Sequence, residues 1–579
     1  MSIRNLLFLF LLLPFSAFAQ GKPRTVFTTT PVYDSIISSY RKFDQQSEFC
    51  QLKECGTTDV GKPLHLFVIS KDKIFDGGDA RRTGKAVLMI NNGIHPGEPD
   101  GIDACIELTR TFIANPQLLP SNLIICIVPV YNIDGCLDRG SYSRANQDGP
   151  EAYGFRGNAK NLDLNRDFIK CDAQNTISLE KIFQQWKPDV FVDTHVSDGA
   201  DYQYTMTLIP TQRNKLHPLL ADYMDKNMLP ALSAAMHAVK TDFCPYVETM
   251  GETPESGITA FLETPRFSTG YAALFNCIGF VTETHMLKPY NQRVWATYEI
   301  LRAFITKISA DAQLILSQHA EADRQAALQE NFTLRWELDT THYDWFDFAG
   351  YEAKHKKSEV TGNERLYYDR TKPYTKKIRY YNTYVPAVQV KAPDFYIVPQ
   401  AYTAVIGRLA MNGVIMKRLS KDTKVSGSFS YITDYQSSRT PYESHYLHSG
   451  VTVRNETQEV QYYEGDYIIE TNQACNRYIV ETLEPEGGDS FFAWNFFDGI
   501  LQQKEWFSDY VFEEKADSIL KKNPALKTEL LAKQQSDTAF ARNGWAQLNW
   551  VYQRSGYKEV THNRYPVGRL NGEMKLPTE

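Results

Sequence analysis

Between Lys85 and Leu316 short, continuously apolar runs alternate with amphipathic stretches, and this alternation narrows the possible folds more than any other feature of the chain. A run apolar at every position is a strand buried on both faces, and a following stretch with helical spacing is the helix that covers it, so the pattern predicts an α/β sheet. The predicted strands are Ala86–Asn91, Leu123–Val130, Asp189–Asp193 and Gly279–Glu283. Ile102–Ile113 reads as a helix, and Val294–Leu316 as a closing helix with Tyr298, Leu301, Ile305, Ile308 and Ala312 on one stripe.

After Gln329 the texture changes. Tyr- and Val-rich segments such as Tyr380–Val385 and Gln461–Glu470, broken by Gly, Pro, Asn and Asp, predict strands and turns without helices until Phe507. At 579 residues the chain is too long for one ordinary core. The expected division is a leader over 1–19, a catalytic domain over 20–329 and a β-rich module over 330–579. Sheet packing accounts for the aromatic residues of that module more simply than glycan binding does.

The leader is read from a short basic stretch, Met1–Arg4, an apolar stretch, Leu6–Phe15, and Ala17 and Ala19 where a signal peptidase reads small residues. About ten apolar residues fall short of the roughly 20 that span a bilayer, so the expectation is cleavage before Gln20 and a periplasmic or secreted mature protein. No later segment reads as a membrane span. Of the nine cysteines, Cys105, Cys126 and Cys277 lie in apolar stretches and read as buried thiols, while Cys50 and Cys55 are placed for a local disulfide. With 62 basic against 69 acidic residues the net charge is -7, and no basic run is interleaved with aromatics, so nucleic acid is excluded as a partner.

Four segments carry chemistry. His95 and Glu98, in Asn91-Asn-Gly-Ile-His-Pro-Gly-Glu-Pro-Asp-Gly101, follow the first predicted strand, where open α/β sheets put their sites. His195 ends the strand Asp189-Val-Phe-Val-Asp-Thr-His. Strand ends lie side by side, so His95, Glu98 and His195 can form the two-histidine, one-carboxylate shell of a zinc ion with a fourth position for water. Arg156 and Arg166 bracket Asp163 and Asn165, and guanidinium groups bind carboxylates and oxyanions. Glu283 ends the strand Gly279-Phe-Val-Thr-Glu and is a candidate general base. His285, on the same strand face, is either a partner of that base or a core histidine.

In this order the four segments resemble the zinc metallocarboxypeptidases, the carboxypeptidase A-like peptidases, over roughly Lys85 to Leu316. The phrase Glu283-Thr-His-Met-Leu-Lys-Pro-Tyr290 looks like an exported bacterial branch. The resemblance implies a mixed central sheet with flanking helices and one zinc held by His95, Glu98 and His195. It implies Glu283 as the base, Asn165 and Arg166 as the grip on a substrate's terminal carboxylate, and Asp163 as the residue that orients His95. Arg156 is similar in placement to the arginine that polarises the scissile carbonyl, with Arg144 as the other candidate, and Tyr271 is the nearest match to a mobile substrate-contacting tyrosine. The implied function is zinc-dependent removal of C-terminal residues from peptides. The alternatives are an amidase or carboxypeptidase of peptidoglycan stem peptides, a deacylase of N-acyl amino acids, and, outside enzymes, a glycan-binding module beside an inactive peptidase domain.

Overall fold

The computed structural model describes residues 25–572 and 576–578; the leader expected over 1–19 lies outside the described residues. Ten strands belong to the first half: β1 Cys50–Thr57, β2 Pro63–Ile69, β3 Ala86–Asn91, β4 Leu123–Val128, β5 Val190–Ser197, β6 Met206–Pro210, β7 Phe243–Pro245, β8 Glu248–Thr249, β9 Ile258–Thr259 and β10 Ile278–His285. Eight of them form one sheet in the order β1-β2-β4-β3-β5-β10-β6-β7. The centre, β4-β3-β5-β10, is parallel, while β1, β2 and β6 add antiparallel partners, so the sheet is mixed. Every residue of β3 and β4 is buried, as continuous apolar runs in a helix-covered sheet require.

Helices Asp100–Ala114, Gln174–Trp186 and the 38-residue Tyr290–Ala327 flank the sheet. The last begins four residues before and ends eleven after the predicted Val294–Leu316, because its outer turns pack less apolar residues such as His319 and Ala322. Strands β1 and β2 and the helix Tyr33–Gln46 precede the segment from which the sheet was read.

The second half is β-rich, with long hairpins over 344–381 and 423–462. It also contains two α-helices, Thr403–Met411 and Asn476–Leu483, before the predicted limit at Phe507, and four more helices between Asp509 and Tyr552 precede a last strand, Gly568–Leu570, that returns to a sheet of this half. The expected strands Tyr380–Val385 and Gln461–Glu470 are each interrupted, since strands end at Tyr381 and Tyr462 and resume at Tyr384 and Tyr467. The apolar core runs without a break from Leu88, Val192 and Phe280 of the sheet to Tyr396, Ile469, Tyr478 and Trp494 of the second half. The terminal helices enclose a small core of their own around Phe512, Leu530, Phe540 and Tyr552.

The nine cysteines are free thiols, and Cys105, Cys126 and Cys277 are buried. The expected Cys50–Cys55 disulfide does not form. Both residues lie in β1, where five steps at about 3.3 Å separate them by roughly 16 Å, more than twice the distance a disulfide bridges. No helix among the described residues is long and apolar enough to cross a membrane.

Candidate functional site

The carboxyl ends of β3, β5 and β10 open into a cavity of about 640 Å³ lined by His95, Glu98, Arg144, Arg156, Asn165, Arg166, His195 and Glu283, among others. His95 and Glu98 share one turn, closed by the Glu98 N–H donating to the His95 carbonyl at 2.8 Å. Two of the motif's glycines allow close packing around the turn and the helix that follows it. A Cβ on Gly97 would overlap Arg144 Nε, and one on Gly101 would overlap Thr194 Oγ1 and Asn92 Oδ1. His195 and Glu283 sit opposite each other in the parallel pairing of β5 with β10.

Glu98 is 3% exposed and stands between the two imidazoles. Its Oε1 lies 3.3 Å from His95 Nδ1 and its Oε2 3.1 Å from His195 Nδ1. Arg144 donates to Oε1 at 2.8 Å and the Val196 N–H to Oε2 at 2.9 Å. Burial opposes ionisation of Glu98, yet Arg144 and the two imidazoles hold its carboxyl well below the ordinary range. One donor atom from each of His95, Glu98 and His195 lies within 4.8 Å of the others, and all three residues are buried. Two imidazoles and one carboxylate converging in a buried pocket are a donor set that suits zinc.

Behind His95, Asp163 connects several groups. Its Oδ1 lies 2.9 Å from His95 Nε2, which leaves Nδ1 facing Glu98, and its Oδ2 accepts from Arg156 Nε at 3.0 Å. Arg166 Nη1 is 3.8 Å from the same oxygen. Burial would raise the Asp163 carboxyl, but His95, Arg156 and Arg166 hold it well below the carboxylate range. Asp163 also caps the short turn Leu164–Arg166 by accepting the Asn165 N–H at 2.9 Å. Arg166 lies over the Phe267 ring at 4.3 Å, and Asn165 Oδ1 accepts the Ser268 N–H at 3.3 Å. Arg156 also approaches His95 Nδ1 at 3.3 Å.

Glu283 is half-buried in the cavity wall, and its Oε2 is shut off from solvent without a hydrogen-bond partner. Burial pushes its pKa up to about 8, against the pull of His195 and with the help of Glu98 and Glu263. His285 does not hydrogen-bond this base. Its Nε2 is 2.8 Å from the Ala200 carbonyl, its ring lies 4.2 Å from that of Tyr202, and burial lowers its pKa to about 4.

Tyr271 is a correction. It is 1% exposed and points away from the cavity, its hydroxyl donating to Asn412 Oδ1 at 2.6 Å among Phe168, Phe183 and Phe275. The helix Ser268–Ala273 turns that side into the core. The tyrosine on the cavity is Tyr246, joined by Phe261 and Glu263 from the same loop. That loop is held by the second half, because β9 pairs with the strand Glu364–Tyr381 through Ile258 and Thr259. Sequence reasoning missed Tyr246, whose 37-residue separation from Glu283 carries no period that marks a site. It also missed Asp193, whose Oδ2 lies 3.0 Å from His195 Nε2.

Residues 36–297 match a family model described as zinc carboxypeptidase. Carboxypeptidase 2 of Trichophyton rubrum is 20% identical over 80% of this chain and 84% of its own length, and Carboxypeptidase 2 of Trichophyton equinum is 20% identical over 70% and 73%. These relatives are fungal, and they do not bear on the expected bacterial branch. Among solved structures, a putative carboxypeptidase A from Shewanella denitrificans OS-217 is 17% identical, covering 50% of this chain and 71% of that one with a TM-score of 0.37. Carboxypeptidase A from Helicoverpa armigera is 14% identical, covering 49% and 74% with a TM-score of 0.35.

Proposed function

We propose that this chain, a metallocarboxypeptidase with a zinc carboxypeptidase-like fold, removes C-terminal residues from peptides outside the cytoplasm. The observation that carries the reading is the joint placement, in one cavity, of Glu283 with its unpartnered Oε2, the His95–Glu98–His195 cluster and the Asn165–Arg166 pair.

His95, Glu98 and His195 would hold one zinc ion, which when bound supplies a Lewis acid for the scissile carbonyl and lowers the pKa of a water. Asp163 fixes the ring of His95 by accepting at Nε2, so that Nδ1 stays turned toward Glu98. Asn165 and Arg166 bind the terminal carboxylate of the peptide and thereby set which bond lies over the metal cluster. Arg156, 44% exposed and reaching over His95, is placed to stabilise the negative charge that develops on the carbonyl oxygen. Arg144 is committed to Glu98, and its role is to keep that carboxylate ionised and in place. Glu283 takes the proton of the attacking water and passes it to the departing amine. The reading of Met1–Ala19 as an export leader supports a periplasmic or secreted location, and the mature N-terminus of the exported protein, expected at Gln20, is its check.

The test is a substrate panel. Arg166 has only a 3.8 Å approach to Asp163 and can take a carboxylate in a closer, bidentate pairing, so cleavage should require a free terminal carboxylate. Amidating the C-terminus should remove nearly all turnover, and Arg166→Ala should weaken the free acid strongly while barely changing the already poor amide. Internal cleavage, or amides cut as fast as acids, would overturn the exopeptidase reading. A preference for γ-linked or D-configured stem peptides would move the substrate class to the cell wall.

A further inference from the structure

The hairpin formed by Thr423–Ser437 and His448–Tyr462 belongs to the second half, yet its connecting loop reaches back to the segment 163–172 of the site. At the loop's tip Glu443 and Ser444 have φ of 50° and 68°. Two successive left-handed residues are what a two-residue hairpin turn requires, and where neither is glycine, surrounding contacts must hold them there. Those contacts are present. Tyr442 and His445 close the turn with reciprocal backbone hydrogen bonds of 2.7 and 3.0 Å. His445 Nε2 lies 2.7 Å from Asp172 Oδ2, and the Arg266 guanidinium lies over the rings of Tyr442 and Trp494 at 5.6 and 4.9 Å.

From this braced tip, Glu443 Oε2 accepts the backbone N–H of Asp163 at 2.8 Å. Asp163 begins a turn bonded to itself, because its Oδ1 accepts the Asn165 N–H and the Arg166 N–H donates to its carbonyl, both at 2.9 Å. The same Asp163 carboxylate orients His95 and Arg156. A carboxylate accepting an amide N–H makes a stronger bond than a neutral acceptor does. The tight turn at the tip thus presents the Glu443 carboxylate to the backbone of Asp163.

We propose that Glu443 is a positioning residue of the active site, which sets the Asp163–Arg166 turn against His95 and the cavity, so that the β-rich half completes the site. Its kinetic consequence rests on the carboxypeptidase reading; its consequence for metal retention requires only that the histidine cluster binds zinc.

The test uses the full-length protein with Glu443→Ala and Glu443→Gln, the second of which keeps an acceptor oxygen. KM for a free-acid peptide and the release of zinc to a chromogenic chelator are measured separately, with thermal melting as a check on folding. Glu443→Ala should raise KM about tenfold and release zinc at about tenfold lower chelator, at a melting temperature close to that of the parent, and Glu443→Gln should restore both within about twofold. Unchanged KM and zinc release in Glu443→Ala would overturn the proposal, as would equal impairment in the two variants or a change in one readout alone. Absence of peptide cleavage by the unmodified protein would instead overturn the carboxypeptidase reading, while the zinc measurement would still decide the role of Glu443.

Discussion

Glu283 stands in the cavity wall opposite His195, with Glu98 and Glu263 nearby, and partial removal of water together with these like charges makes its carboxylate hold a proton more readily than an exposed one. That is the property a general base needs if it must take a proton and later return it. Glu283→Gln preserves shape and leaves His95, Glu98 and His195 untouched. It should therefore keep fold and zinc content while losing turnover by about 10² to 10⁴ or more. The check is kcat on a free-acid peptide alongside zinc per chain, and near-normal turnover in a zinc-loaded variant would assign the role elsewhere. Much of this residue set was legible in sequence because His195 and Glu283 each terminate an apolar run, and His95 and Glu98 follow one within a Gly/Pro loop. Tyr246, Glu263 and Glu443 were not legible. They reach the site through loops whose separation from the motifs is fixed only by tertiary pairing, and Tyr271, the closer tyrosine in sequence, is turned inward by its own helix.

At the scale of elements, strands buried on both faces announce themselves by composition, whereas short helices packed into a core do not. Asn476–Leu483 is buried along its whole length and contains Tyr478, Ile479, Val480 and Thr482, residues that favour strands. Its helical state is imposed by the burial it achieves, which intrinsic propensity cannot foresee. Strand limits were misplaced for a related reason: Tyr380–Val385 keeps strand-like residues on both sides of Asn382-Thr383, where the chain leaves its pairing with Asp344–Lys357 and takes up pairing with Asn331–Leu338 without an obvious break in pattern. The HxxE loop is the opposite case, because glycine reports close approach directly. The start of the helix Asp100–Ala114 rests on β5 with no room for a Cβ at position 101. Gly101→Ala should thus force the helix away from Thr194 and destabilise the protein by about 1–3 kcal/mol, as overpacking does. A lower melting temperature together with easier zinc loss is the expected result, and an unchanged melting temperature would show that the helix shifts at no cost.

At the scale of the whole molecule, the contacts between the halves are those of an interior. Arg477 Nη1 donates to the Lys215 carbonyl at 2.6 Å and the Ala273 carbonyl at 3.0 Å, and Asn476 Nδ2 donates to the Ala326 carbonyl at 3.1 Å. Phe275 stacks on Tyr478 at 5.4 Å. Asn412 receives the Tyr271 hydroxyl and donates at 2.9 Å to Glu180, a fully buried carboxyl raised well above its ordinary pKa by burial. Cutting the chain after Gln329 would leave Phe275, Tyr271 and the end of the helix Tyr290–Ala327 facing water, at about 25 cal/mol for each Å² of apolar surface uncovered. It would also leave polar groups that now bond across the boundary without partners, and it would free the Asp163 turn and the Tyr246 loop. The catalytic half alone should accordingly fail to form a soluble, cooperatively melting protein, and limited proteolysis of the full chain should yield no active fragment ending near residue 329. Recovery of such a fragment with normal KM would show that the β-rich half is an independent appendage; its absence, with intact protein surviving longest, is what a shared core demands.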